Sequence, residues 1–139
     1  EALLTEPDEA EKFVGATGVD TLACSFGTVH GIIKMTGGVV PHVDVERIKQ
    51  VHEKVQLPLV LHGASGVPED VITQAIAGGI AIINIDTELR LAYATSLRKS
   101  LSDQPDEIDP RKIMKPVIEA VKDAAVLKLR QFKTKNILN

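Results

Sequence analysis

Leu59-Val60-Leu61-His62-Gly63-Ala64-Ser65-Gly66-Val67-Pro68, residues 59–68, decides the fold. Three apolar residues in a row, with no polar alternation, fit a strand covered on both faces, as in a parallel sheet. The run then breaks into small residues, and Pro68 suits the start of a helix, so the stretch reads as strand, loop, helix. Val71, Ile72, Ala75 and Ile76 give that helix one apolar face, and Gly78-Gly79 end it.

The same pattern continues on either side. Ile80 to Ile83 reads as another buried strand, opening into Asn84-Ile85-Asp86-Thr87. A helix over residues 88–101 follows, with Leu89, Tyr93 and Leu97 inward, and Asp109-Pro110 starts a long last helix carrying Ile113, Val117, Val121, Ala124 and Phe132. Upstream, Asp44 caps a helix whose Val45, Ile48, Val51 and Val55 share a face, ended by Leu57-Pro58. Before it, residues 32–43 form a long loop, and Thr21 to Phe26 is extended, with Cys24 as a small core residue, running into Gly27-Thr28-Val29-His30-Gly31. Thr5 and Asp8 have the form of a capping box for a first short helix, with Ala10, Phe13 and Val14 as its stripe and Gly18 as its stop. Alternating strands and helices define an α/β chain with a parallel sheet. Three strands alone leave unpaired edges, so further strands are expected from a larger barrel or sheet, or from a second chain.

Composition narrows the function. The 139 residues are 44% hydrophobic and 25% charged, enough for one domain, and no apolar run has the length of a membrane span. A single cysteine allows no internal disulfide, and the acidic start lacks the pattern of a secretory signal, so the expected location is the cytoplasm. Aromatic residues at 3% supply no stacking platform, and no nucleic-acid partner is expected. Residues 111–135 hold eight bases against two acids, read as a solvated helix face.

Three strand ends carry small, polar loops: GTVHG at 27–31, HGASG at 62–66 and NIDT at 84–87. In parallel α/β folds such ends share one face, where ligands bind. Gly63, Ala64, Ser65 and Gly66 offer backbone N–H groups to a phosphate, or simply make a tight turn. His30 and His62, each followed by Gly, suit one zinc ion, or are structural; two ligands are fewer than a zinc site needs. His42 and His52 read as structural or solvent-facing. Asp86 or Thr87 caps the following helix, and Arg90, one turn in, either faces solvent or reaches an anion.

GTVHG at 27–31, LVLHGASGVP at 59–68, INIDTELR at 83–90 and DPRKIMKP at 109–116, in that order, resemble the C-terminal half of the class II, metal-dependent fructose-bisphosphate and tagatose-bisphosphate aldolases. The resemblance covers residues 1–135 and implies the C-terminal part of a (β/α)8 TIM barrel, with about three βα units and C-terminal helices, so that 1–139 is a portion of a single domain. It implies zinc on His30 and His62, with a monovalent cation as a further ion that the sequence leaves undecided. It implies phosphate contacts from Gly31, Lys34, Gly63, Ala64, Ser65, Asn84, Ile85, Asp86 and Thr87, catalysis by Asn84 at the enediolate, and Arg90 at the far phosphate. Ala64 stands where many members have glycine. The family's third zinc histidine and its acid/base residues belong to the first half of the barrel, which this resemblance does not reach. The implied activity is reversible cleavage of a ketose bisphosphate, fructose or tagatose, to dihydroxyacetone phosphate and glyceraldehyde 3-phosphate. The implied partners are a phosphosugar substrate, the N-terminal half of the barrel, and further copies in a dimer or tetramer. The alternative is a non-catalytic phosphosugar-binding barrel fragment or a split subunit; this chain alone is expected to be inactive.

Overall fold

The computed structural model describes residues 4–28 and 42–134. Its elements are α1 (Pro7–Thr17), β1 (Leu22–Ala23), α2 (Val45–Val55), β2 (Leu59–Leu61), α3 (Glu69–Ala77), β3 (Ile80–Ile83), α4 (Thr87–Asp103) and α5 (Pro110–Gln131). The chain divides into two compact units, Glu1–Ile85 and Asp86–Asn139.

In the first unit the sheet is parallel, in the order β1-β2-β3. β2 is central, and Leu59, Val60 and Leu61 are all buried, as an uninterrupted apolar run demands. Phe26, Ile48, Val51 and Ile72 complete the core around it. α2 is held as its sequence predicts: the Asp44 carboxylate accepts from the Arg47 N–H at 2.9 Å. It ends on Gln56 in the left-handed conformation, one step before the expected Leu57-Pro58. Gly18 stops α1 in the same conformation, which glycine adopts without a Cβ penalty.

Several local expectations fail for identifiable reasons. Thr5 makes no capping box. Pro7 begins α1, Glu6 is its cap residue without a side-chain bond, and Thr5 instead pairs with Ser25 through its main chain and its hydroxyl. Phe13 is 52% exposed, so Ala10 is the residue that α1 buries. The expected strand over 21–26 shrinks to Leu22–Ala23, and Cys24 lies just past it, half-buried rather than in the core. Burial pushes its thiol pKa up, partly opposed by a hydrogen bond with Thr5. β3 is not buried throughout either: it lies at the sheet's edge, and Ile82 is 41% exposed. The loop at 32–43 falls almost wholly outside the described residues.

α1 is clamped to α2 by charge. Arg47 lies 2.8 Å from Glu6, and Lys54 lies 3.0 Å from Asp8 and 3.6 Å from Glu11. The Lys54 ammonium, hydrogen-bonded to Asp8, holds that carboxyl below its ordinary range. A depressed folded pKa contributes stability above the ordinary carboxylate range and loses it as pH falls through the lowered value. The denaturation midpoint should therefore hold from pH 7 to 5 and decline below about pH 4. In Lys54→Gln the decline should be shallower; identical profiles would deny the clamp a role.

In the second unit α4 and α5 pack together. Ser100, buried in α4, donates to the Ile113 carbonyl at 2.8 Å, and Glu88 meets Lys128 at 2.6 Å. Asp109 caps α5 as expected, accepting from the Arg111 N–H at 2.9 Å, and Val117 is its buried residue. Tyr93, expected inward, is 43% exposed, and Ser100 is the residue that α4 buries.

Candidate active site

β2 and β3 run parallel, so their C-terminal ends lie side by side. The Asn84 N–H donates to the Leu61 carbonyl at 3.1 Å, extending the ladder one step beyond both strands. The next residue of one chain segment and the side chain of the other thereby meet: His62 Nδ1 lies 3.1 Å from Asn84 Nδ2. Both residues are exposed.

After His62 the chain makes two left-handed steps, Gly63 at φ 64° and Gly66 at φ 74°. The Val67 N–H closes a turn on the Ala64 carbonyl at 3.1 Å, with Gly66 at the third position, where a type II turn requires φ above zero. Ala64 and Ser65 are buried within it. Between this turn and α3 stands Pro68, and Glu69 and Asp70 occupy the first helical turn. Those carboxylates complement the helix dipole at that end.

In the second unit Asp86 is the residue before α4, and Thr87 is the helix's first residue. Neither caps it through a side chain as expected. The Asp86 carboxylate is engaged elsewhere, accepting from Arg90 Nε at 2.6 Å. Arg90 is 81% exposed and one helical turn from Asp86, the spacing at which such pairs form.

His30, Gly31 and Lys34 lie outside the described residues. Of the other histidines, His52 is structural: its Nδ1 lies 3.1 Å from the Leu57 carbonyl and its ring packs on Gly79. His42 is exposed. Among the described residues no three His, Cys, Asp or Glu side chains gather as a metal site. The donor chemistry of His62 nevertheless fits a borderline-soft divalent ion, since it is an exposed imidazole at a strand's C-terminal end with a neutral amide against its ring. Its neighbour Asn84 was legible in the sequence as a strand-end residue; their contact, across 22 positions, was not.

The strand ends of this parallel sheet present an imidazole, an amide and a glycine turn on the side where α/β enzymes bind their ligands. The model of the class-II fructose-bisphosphate aldolase family matches residues 1–137, and the chain belongs to that family. The YdjI aldolase of Escherichia coli K12 matches it with a TM-score of 0.78 at 35% identity, over 97% of this chain and 47% of that one. A fructose-bisphosphate aldolase of Campylobacter jejuni matches with a TM-score of 0.75 over 94% of this chain and 46% of its own, at 21% identity, a likeness of fold. The chain thus spans about half the length of these solved structures.

Proposed function

We propose that residues 1–139 are the C-terminal part of a (β/α)8 barrel that reversibly cleaves a ketose bisphosphate, fructose or tagatose 1,6-bisphosphate, to dihydroxyacetone phosphate and glyceraldehyde 3-phosphate. The observation that carries the reading is the pairing of His62 with Asn84 at adjacent strand ends, in a chain of the class II aldolase family. In this reading His62 and His30 hold zinc with a third ligand from the remainder of the barrel. When bound, zinc supplies a Lewis acid at the substrate carbonyl. Asn84 donates its amide N–H to the oxygen on which negative charge develops, a contribution of fixed dipoles that needs no reorganisation. The N–H groups of Gly63, Ala64 and Ser65 receive the phosphate next to that carbonyl, aided by Gly31, Lys34, Ile85, Asp86 and Thr87. The general acid and base come from the rest of the barrel, as do the contacts that tell fructose from tagatose. The complete polypeptide should cleave one of the two bisphosphates, lose the activity to a chelator and regain it with zinc. Cleavage that persists in chelator would contradict the zinc reading, and cleavage of neither sugar would contradict the substrate class.

Arg90 is assigned to the far phosphate. Its bond to Asp86 is a surface pair, worth at most about 1 kcal/mol, so a dianionic phosphate competes for the guanidinium at small cost. Arg90→Ala should lower kcat/KM for the bisphosphate by roughly tenfold or more, a charge-assisted bond's worth, and leave that for the corresponding ketose 1-phosphate nearly unchanged. Equal losses on both substrates would remove Arg90 from the specificity set.

A further inference from the structure

Among the described residues three helices begin behind an aspartate: α2 behind Asp44, α4 behind Asp86 and α5 behind Asp109. Asp44 and Asp109 each accept a backbone N–H of the helix they precede, the ordinary use of that position. Asp86 does not. It leaves the first turn of α4 without a side-chain cap and accepts from Arg90 Nε at 2.6 Å instead. Departures of this kind from a local rule concentrate at functional positions.

The manner in which Arg90 is held differs as well. Arg111 gives two nitrogens, Nε and Nη2, to the Asp109 carboxylate. Arg90 gives only Nε, and among the described residues its two Nη groups make no hydrogen bond. Its main-chain N–H donates to the Asp86 carbonyl at 3.0 Å, so Asp86 holds the residue at both its base and its tip, and the side chain lies back over the start of α4, where Thr87 stands. A guanidinium held by Nε keeps its outer edge, Nη1 and Nη2, as a pair of donors matched to two phosphate oxygens. The ion pair is weak enough to be exchanged, yet this geometry makes exchange unnecessary. Without Asp86, a long side chain that is 81% exposed would have to be ordered by the phosphate itself, at a cost in affinity.

We propose that Asp86 is a positioning residue for Arg90, holding Nε so that the Nη edge meets the far phosphate, and that it thereby favours ketose bisphosphates over ketose 1-phosphates. The inference rests on the reading of Arg90 as the contact of that phosphate. The carboxylate also offsets part of the guanidinium charge, but both groups are exposed and water screens that effect, whereas orientation is not screened.

The test uses the complete polypeptide and the ratio of kcat/KM for the ketose bisphosphate to kcat/KM for the corresponding ketose 1-phosphate. Any loss at the near phosphate is shared by both substrates and cancels. Asp86→Ala should lower the ratio about 3- to 10-fold, mainly through KM for the bisphosphate, as the ordering of one long side chain requires. Asp86→Asn, whose oxygen can still accept from Nε, should keep more of the ratio than Asp86→Ala. In an Arg90→Ala background, Asp86→Ala should change the ratio no further. An unchanged ratio in Asp86→Ala, beside a fall in Arg90→Ala, overturns the positioning role. A ratio that rises in Asp86→Ala overturns it too, because the carboxylate would then be competing with the phosphate, and so does a further fall in the double variant. If Arg90→Ala itself keeps the parent's ratio, the far-phosphate reading fails instead, and this inference with it.

Discussion

His62→Ala should leave the complete protein folded, empty of tightly held zinc and slower in kcat/KM by at least about a thousandfold, roughly 4 kcal/mol of lost transition-state stabilisation. The separation of these effects is the point of the experiment. His62 is exposed just past β2, and truncating an exposed side chain away from the core shifts stability by about 0.5 kcal/mol or less. A structural histidine would behave in the opposite way. His52, bonded to the Leu57 carbonyl and packed on Gly79, should lose stability on truncation and keep its metal content. Zinc retained in His62→Ala at one ion per chain would show that the metal is held elsewhere.

The second large effect is on the fold. Gly79 joins α3 to β3 with φ 118°, a conformation that L side chains rarely adopt. Its carbonyl accepts from the Leu59 N–H at 3.2 Å, so the turn fixes the register of β3 against β2. A Cβ at this position would collide with His52 Cγ and stand 2.7 Å from Cδ2 and 2.8 Å from Cβ of the same residue. Backbone strain of about 1–3 kcal/mol adds to an overpacking cost of about 1–3 kcal/mol, against a total stability of only about 5–15 kcal/mol. Gly79→Ala should therefore lower the denaturation midpoint severely. Removing the ring in Gly79→Ala/His52→Ala relieves the contacts with Cγ and Cδ2 but leaves the contact with Cβ and the strain, so the double variant should be less destabilised than the two single effects combined, though still below the parent. A midpoint for Gly79→Ala equal to that of the parent would mean that the turn is not held as described.

What the sequence revealed and what it hid follow from the range of the interactions involved. Elements set by near neighbours were legible: the Asp44 and Asp109 caps, the Gly18 stop and the central strand at 59–61 each depend on a few adjacent residues. Local patterns failed where another partner took the group. Thr5 has the spacing of a capping residue, but its hydroxyl goes to Ser25, 20 positions away. Asp86 stands at a helix start, yet its carboxylate takes the Arg90 guanidinium in place of a backbone N–H. Tyr93 has helical spacing with Leu89 and Leu97 yet is exposed, while the buried residue of α4 is the polar Ser100, whose hydroxyl donates to the Ile113 carbonyl, 13 positions away. The candidate site divides in the same way. The strand-end loops and their residue types could be read directly, whereas the His62–Asn84 contact depends on the register of β3 against β2, which no spacing encodes.

The central claim is that this chain's strand ends carry the metal of a class II aldolase. A crystal of the complete polypeptide grown with zinc, with diffraction recorded on both sides of the zinc absorption edge, tests it most directly. One strong anomalous peak is expected at about 2.0–2.1 Å from an imidazole nitrogen of His62, with His30 as a second ligand. A peak remote from His62, with that imidazole ligating nothing, would contradict it.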